Sequence, residues 1–465
     1  MPLLIVSISF AQAPDTLWTR LYSPGDRDEV YRILQTGDDG YLIVGSTQPI
    51  GGHSDIWVLK THEDGSFQWE AFFGESDFWD YGESALVITD DGYLISSTSS
   101  PVGEVGSYIS FMRLDSLGNQ ESEVIFSEFE ENWVRESQHC SDGGFIHTGS
   151  GGIYPNGMDG LLVRTDGDCT AEWFSTYGGS MSDGFFSVRQ TADGGFIAAG
   201  RTESYGSGSV DMYVVKTDAD GSQEWDTALG GTNFDRAREV LQTLDGGYAI
   251  VGYTYSHSAS SDIWLVKLAP TGALEWEKFF NGGGSDSGRS LIEMADGGFM
   301  ITGGMSGQLF LLRTDAEGNQ IWQTTIGGAY TQTGNSLQQT SDGGFVVGGI
   351  TNPGAGLLDL WLVRFGQELG IGEGFPPPGG VSIRNVPNPF TSILEITCVI
   401  PTAGSVELAV YDVSGRLIEV LKESAHTAVG TRTVTWDARE QPSGFYVVTL
   451  RSRQGIYTAS CVLIR

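Results

Sequence analysis

Positive charge is what this sequence has least of. Its 25 Lys and Arg stand against 59 Asp and Glu, a formal net charge of −34. A surface of that sign repels nucleic-acid backbones and anionic lipid, so neither is an expected partner. Histidine and cysteine are also scarce, at 6 and 4 residues. No histidine pair has zinc-ligand spacing and no cysteines form a metal pattern, so no metal site is expected. Gly-x-Ser-x-Gly, His-Glu-x-x-His and phosphate-loop motifs are missing, so neither a catalytic residue nor a cofactor is assigned. No stretch beyond the N-terminus approaches the ~20 apolar residues of a membrane span. No segment sustains a 3.6-residue apolar period, which excludes a helical solenoid.

Glycine (66 residues) and aromatics are plentiful, the mixture of an all-β protein with many tight turns rather than of a disordered chain. The charge is uneven. From Val381 onward 8 Lys and Arg meet 7 Asp and Glu, so the first 380 residues carry −35. The start, Leu3 to Ala13, is an apolar run ending in small residues and is expected to be a signal peptide over 1–11, cleaved after Ala11.

An Asp-Gly-rich turn followed by Tyr or Phe recurs seven times, beginning at Asp38, Asp90, Asp142, Asp193, Asp245, Asp296 and Asp342, at intervals of 52, 52, 51, 52, 51 and 46 residues. Each turn is followed by a strand of the type Asp55-Ile56-Trp57-Val58-Leu59-Lys60, then by Asp-x-x-Gly-x-x-x-Trp, as from Asp218 to Trp225. The Trp column is Trp18, Trp69, Trp173, Trp225, Trp276 and Trp322, with Ser122 breaking it in the second repeat. Four short strands at a period near 50 predict propeller blades. The first strand, around Trp18, lacks the preceding strands of a repeat, and the last, Asp359 to Phe365, lacks a following one. Their pairing would complete the seventh blade and remove two open edges. The predicted fold is all-β: a seven-bladed β-propeller over 15–365, a Gly/Pro linker over 366–380 and an Ig-like β-sandwich over 381–465.

The tight hairpins fall on one face of such a propeller and the longer loops on the other. Two polar columns border the long-loop face. One is Asp28, Asp80, Asn132, Asp183, Asp235, Asp286 and Gln332; the other runs from Asp55 to Asp359 through Ser107 and Gln308. Asp28, Asp80, Asp183, Asp235 and Asp286 are the candidate ligand-binding residues. The competing reading is that each Asp accepts N–H groups of its own loop, a turn repeated because the loop is repeated. In the third blade Cys140 replaces the Thr of sister blades and Cys169 the turn Gly, so a bridge between them is considered, although the strands involved lie roughly 14 Å apart and a disulfide needs Cα atoms within ~7 Å. Cys398 and Cys461 are a second candidate pair.

The Asp-x-x-Gly-x-x-x-Trp element resembles the tryptophan-docking motif of quinoprotein-like propellers, which implies a Trp packed between blades and extends to fold only. The tail carries Pro387-Asn388-Pro389-Phe390, Val410-Tyr411-Asp412-Val413-Ser414-Gly415-Arg416, Trp436-Asp437, Pro442-Ser443-Gly444-Phe445-Tyr446 and Val462-Leu463-Ile464-Arg465. It resembles the C-terminal sorting domain of the type IX secretion system and the related Ig-like domain of flagellar hook-capping proteins. The resemblance implies that residues 381–465 engage the type IX machinery and that the protein is secreted or held on the outer surface of a Gram-negative bacterium. A monomeric, non-enzymatic binding module for a glycan or protein ligand is the expected function. The alternative is a carbohydrate-active hydrolase with a carboxylate pair on the long-loop face.

Overall fold

The computed structural model describes residues 13–368 apart from 50, 89–91, 154–156, 329 and 355–356, and in the tail 382–384, 392–400, 404–412, 416–427, 430–442, 444–452 and 455–463. Ala11, the expected cleavage position, and the linker beyond 368 lie outside the described residues. The chain divides into two units, Asp15–Gly366 and a second containing Gln367–Arg465.

The first unit is built from antiparallel sheets whose strands pair in chain order. In the first, Arg27–Gln35, Tyr41–Gln48, Asp55–Thr61 and Phe67–Phe73 follow one another. Five further four-stranded sheets begin at Phe78, Glu131, Asp183, Asp235 and Ser287. In the last, Thr331–Gln339, Phe345–Gly354 and Leu357–Phe365 are completed by the N-terminal strand Thr16–Tyr22, with Trp18 opposite Arg364. The closure expected from the chain ends is therefore the one formed. The first strand of every sheet lies against the first strands of both neighbours, including that from Thr331 against that from Arg27, so the sheets close into a ring with these strands innermost.

Three features of the repeat meet at each blade junction. The outer-strand Trp lies edge-on to the aromatic that follows the Asp-Gly turn of the next blade: Trp18 with Tyr41, Trp173 with Phe196, Trp225 with Tyr248 and Trp276 with Phe299, at 5.7–6.2 Å between ring centroids. Its face covers the glycine of the turn between the third and fourth strands of that same blade, as in Asp218 to Gly221 and Ala269 to Gly272. A Cβ on Gly272 would sit 2.7 Å from the Trp225 ring, and Gly272 has φ +81°. Glycine is required there twice over, by backbone conformation and by ring contact. The exception explains itself. Ser122 removes the Trp at the junction of blades two and three, and the turn it would have covered carries Cys169, a non-glycine at φ +65° whose side chain is buried among Leu94, Phe111 and Val163.

Cys140 and Cys169 are both free. The bridge considered from sequence is not formed: they occupy separate apolar clusters, Cys140 beside Ile146 and Phe196, and Cys169 on the opposite side of the blade. Burial pushes the Cys140 thiol up to about 11. The side chains of Cys398 and Cys461 lie outside the described residues; their backbones belong to different sheets.

The Asp-Gly turn is clasped from the third strand. Lys60, 2 % exposed, donates through Nζ to Asp38 Oδ2 (2.9 Å) and to the Thr61 carbonyl (3.0 Å). Lys216 with Asp193, Lys267 with Asp245, Arg313 with Asp296 and Arg364 with Asp342 repeat the arrangement. In these blades the Lys or Arg near the end of the third strand pairs with the Asp that opens the turn, which links the two anchors. Within the second unit a three-stranded sheet (Ser382–Arg384, Ile393–Ile400, Gly430–Asp437) and a four-stranded one (Gly404–Asp412, Leu417–Thr427, Gly444–Ser452, Gly455–Leu463) enclose Leu394, Ile396, Leu408, Val410, Trp436 and Val448. This is the sandwich expected of the tail.

Candidate functional site

The five candidate ligand-binding aspartates are placed against that role. Asp28 is fully buried and accepts from Thr47 Oγ1 (2.6 Å) and the Gly25 amide (3.4 Å). Asp80 accepts from Ser99 Oγ and the Glu75 amide, and Asp183 from the Gly179 and Glu203 amides and Ser204 Oγ. Asp235 accepts from the Gly231 amide, Thr254 Oγ1 and Ser256 Oγ, and Asp286 from the Gly282 and Ser306 amides. Asn132 and Gln332 take the same loop contacts in their blades. In six blades the column ties the crossover to the second strand or the residues just after it, whereas Asn132 ties it to Ser107 of the preceding blade. The second column closes on the same crossovers: a Cβ on Gly178 would stand 2.4 Å from both Asp159 and Asp183. These contacts favour the turn reading: each carboxylate accepts from amides or hydroxyls of its own loop and strand.

The opening on the ring axis is formed three residues further along each inner strand. All seven inner strands carry a β-bulge, and it falls at the same place: Tyr31, Glu83, Arg135, Phe186, Arg238, Arg289 and Asn335 are the unpaired residues. A bulge re-aims the side chain that it carries. Here it aims one from each blade into a common cavity of about 360 Å³, which Glu29 and Arg236 also line. A second cavity of about 660 Å³ shares Arg135, Phe186 and Arg236 with it and extends past Trp133, Met158 and Arg201 between blades three and four. The position carries five residue types in the seven blades, Arg three times and Tyr, Glu, Phe and Asn once each.

The residue after each bulge builds the ring beneath the cavity. Ser84, Glu136, Ser187, Glu239, Ser290 and Ser336 each accept the backbone N–H of the next blade, from Ser137, Val188, Val240, Leu291, Leu337 and Ile33 at 2.9–3.2 Å. The seventh member, Arg32, cannot accept. It reaches across to Glu136 (3.0 Å), while Arg189 spans Glu136 (2.7 Å) and Glu239 (2.5 Å). Two arginines and two carboxylates from four blades thus cross the axis as a charge-balanced floor. Arg189 and Arg32 hold the Glu136 carboxyl below its usual range despite its burial.

Above the floor the charges do not balance. Glu83 pairs with Arg135, and Glu29 pairs with Arg27 while accepting from the Tyr31 hydroxyl. Burial lifts Glu83 to about 7, with Arg135 opposing and Glu29 reinforcing the rise. Arg236 and Arg238 form no ion pair among the described residues. Arg236 lies over the rings of Phe186 (4.9 Å), Tyr253 (5.0 Å) and Phe234 (5.7 Å), and Arg238 over Phe186 (5.4 Å). Arg289 donates to Asn335 Oδ1 at 2.8 Å. The Nε groups of all three are buried without a partner. Burial, then the charges of Arg236 and Arg289, pushes the Arg238 guanidinium well below its ordinary value. Sequence reasoning missed this cluster because it does not recur from blade to blade; the available signal was three arginines in the inner strands of blades five and six of a chain poor in positive charge.

Among the described residues no group of His, Cys, Asp and Glu is arranged to hold a metal ion, and no helix is long and apolar enough to cross a membrane. Residues 386–464 match the family described as the secretion system C-terminal sorting domain. The match indicates export by type IX secretion and an encounter of the tail with that machinery. No curated protein matches the chain. Among solved structures, the Pan2 WD40 domain of Neurospora crassa is 11 % identical with a TM-score of 0.49, covering 76 % of this chain and 97 % of that one. A puromycin hydrolase is 15 % identical at 0.45, covering 83 % and 62 %, and Drosophila Plexin A, solved with Semaphorin 1b, is 10 % identical at 0.42, covering 76 % and 88 %. These likenesses concern the fold alone, and no site is transferred from them.

Proposed function

We propose that this chain is an exported binding propeller, released or displayed outside the cell after passage through the type IX route, whose ligand enters the axial cavity from the long-loop face. The supporting observation is the bulge ring: the same backbone irregularity in seven blades presents five residue types to one cavity, through Tyr31, Glu83, Arg135, Phe186, Arg238, Arg289 and Asn335. Scaffold positions in this chain repeat their residue type, as the Asp column does. A position that keeps its geometry while varying its chemistry has the character of a recognition surface. The charge-balanced floor closes the axis below, so the cavity is a cup rather than a passage. Binding is tested on the full-length protein with a panel of glycans and peptides, followed by the Phe186→Ala and Arg135→Ala variants. Retention of a ligand by the wild type and its loss in both variants supports the axial cavity; retention in both places the site elsewhere.

A hydrolase is the second reading. Glu83, lifted to about 7 beside the second carboxylate Glu29, has the character of a general acid. Turnover of any bound glycan, abolished in Glu83→Gln, would replace the binding reading with this one. The tryptophan-docking likeness supports a relationship of fold to quinoprotein-like propellers and adds nothing about ligand.

A further inference from the structure

We infer that Arg236, Arg238 and Arg289 form an oxyanion-binding centre, so that the ligand of the axial cavity presents a carboxylate, sulfate or phosphate group to the walls of blades five and six. The inference deepens the binding reading above and rests on it.

Elsewhere in the propeller, the buried basic side chains at the ends of the third strands meet their carboxylates: Lys60, Lys216, Lys267, Arg313 and Arg364 in the turn clasps. Arg32 and Arg189 do so in the floor. Arg236 and Arg238 do not, in a chain with more than two acidic residues for each basic one. Leaving neighbouring guanidiniums together without counter-charge costs stability, from desolvation and from mutual repulsion. Apolar residues at those positions would serve the fold better. The rings of Phe186, Phe234 and Tyr253 hold Arg236 and Arg238 by their faces, which fixes them while leaving their edges, where the N–H donors lie, without a protein acceptor among the described residues; Arg289 beside them donates to Asn335 Oδ1 and keeps its Nε unpartnered. Guanidinium edges fixed in this way suit planar or tetrahedral oxyanions, which they bind through paired N–H donors. The position suits selectivity as well. The strongly acidic surface repels anions generally, and only a ligand with enough other contacts to enter the cup gains the arginines.

Thermal unfolding and calorimetry of the full-length protein test this in buffers of fixed ionic strength, in which chloride is exchanged for sulfate, phosphate or glucuronate, with glucose as the neutral control. The wild type is expected to be stabilised by at least one of the oxyanions beyond the equivalent chloride, and not by glucose. Arg238→Met is expected to unfold in chloride at the wild-type temperature or above it, and to bind the effective anion at least about tenfold more weakly, the loss of one charge-assisted contact. Lys60→Met, far from the axis, is expected to lower stability and leave the anion response intact, which separates loss of a site from loss of a fold. A response to sulfate or phosphate alone marks a free inorganic ion; a stronger response to glucuronate marks an acid carried on a sugar; either supports the inference. A wild type indifferent to all three anions overturns it, as does an unchanged response in both Arg238→Met and Arg236→Met. Tight glucose binding lost in Phe186→Ala would overturn the oxyanion centre and leave the binding reading standing. Turnover of glucuronosides with the arginine dependence intact would do the opposite.

Discussion

Replacing Gly272 by alanine should destabilise the propeller through the Trp225 ring rather than through the turn alone, and the two contributions can be separated. At φ +81° an L-residue is strained by about 1–2 kcal/mol. The added Cβ would stand 2.7 Å from Trp225 Cε3 and 2.8 Å from Cζ3, well inside van der Waals contact. The ring has to move. If about 50 Å² of it returns to water, the loss at ~25 cal/mol per Å² is about 1 kcal/mol. The smaller unfolded-state entropy of alanine offsets about 0.4–1 kcal/mol. Gly272→Ala is thus expected to cost about 1–2.5 kcal/mol. Trp225→Ala alone should cost about 2–3 kcal/mol, less than a fully buried Trp, because the ring is only partly covered. In the double variant the clash is absent, so the total should fall short of the sum by about 1 kcal/mol. Urea unfolding monitored by circular dichroism measures all three. Additivity within about 0.3 kcal/mol would refute ring displacement and leave only backbone strain.

The broken junction offers the converse test: Ser122→Trp alone should destabilise by crowding Cys169, whereas Ser122→Trp with Cys169→Gly should recover stability by rebuilding the junction found in sister blades, as read by urea midpoints. In the floor, Arg189→Met leaves Glu136 and Glu239 facing each other across the axis and is expected to cost about 3–5 kcal/mol. Asp38, Asp193 and Asp245 are held at about 2. A carboxyl with a folded value below its unfolded one stabilises above the unfolded value of ~3.9 and loses that contribution as pH falls toward 2. Acid titration of Asp193→Asn should therefore show a shallower loss of stability between pH 4 and 2 than the wild type, with the two curves converging at the acid end. Glu83 works the other way. Its folded value of about 7 lies above the unfolded one, so its contribution is present below the unfolded value of ~4.3 and declines as pH rises through 7. Glu83→Gln should remove that decline, measured as urea midpoints from pH 5 to 8.

The scaffold was legible in the sequence because each of its parts is repeated. The Asp-Gly turn, the Lys-ended strand and the Trp column are separate motifs on the page, yet in the molecule Trp225, Tyr248 and Gly272 form one junction, and Asp38 and Lys60 one clasp. Repetition also showed which way the Asp column would fall: Asp235 and its equivalents are loop braces. The seam at Ser122 and Cys169 was visible as two anomalies and only the fold showed that they are one: Ser122 stands where sister blades place the Trp, and Cys169, 47 residues on, stands where they place the glycine under it. The cavity could not be read in the same way. A β-bulge leaves no residue-type signature when Tyr31, Arg135, Phe186 and Asn335 all occupy it, and the pairing shift that aims them inward is a property of two strands together. Nor does a sequence reveal that Arg189 finds a carboxylate while Arg238, in the next blade, finds only aromatic rings.

The claim on which the rest depends is that the axial cavity is a ligand site with a waiting positive wall. A crystal of the full-length protein soaked in selenate and measured at the selenium absorption edge tests it most directly. The account predicts an anomalous peak within hydrogen-bonding distance of Arg236, Arg238 and Arg289, displaced when sulfate is added in excess. Selenate bound only at the outer surface, with the three guanidiniums bare or turned onto carboxylates, would contradict it.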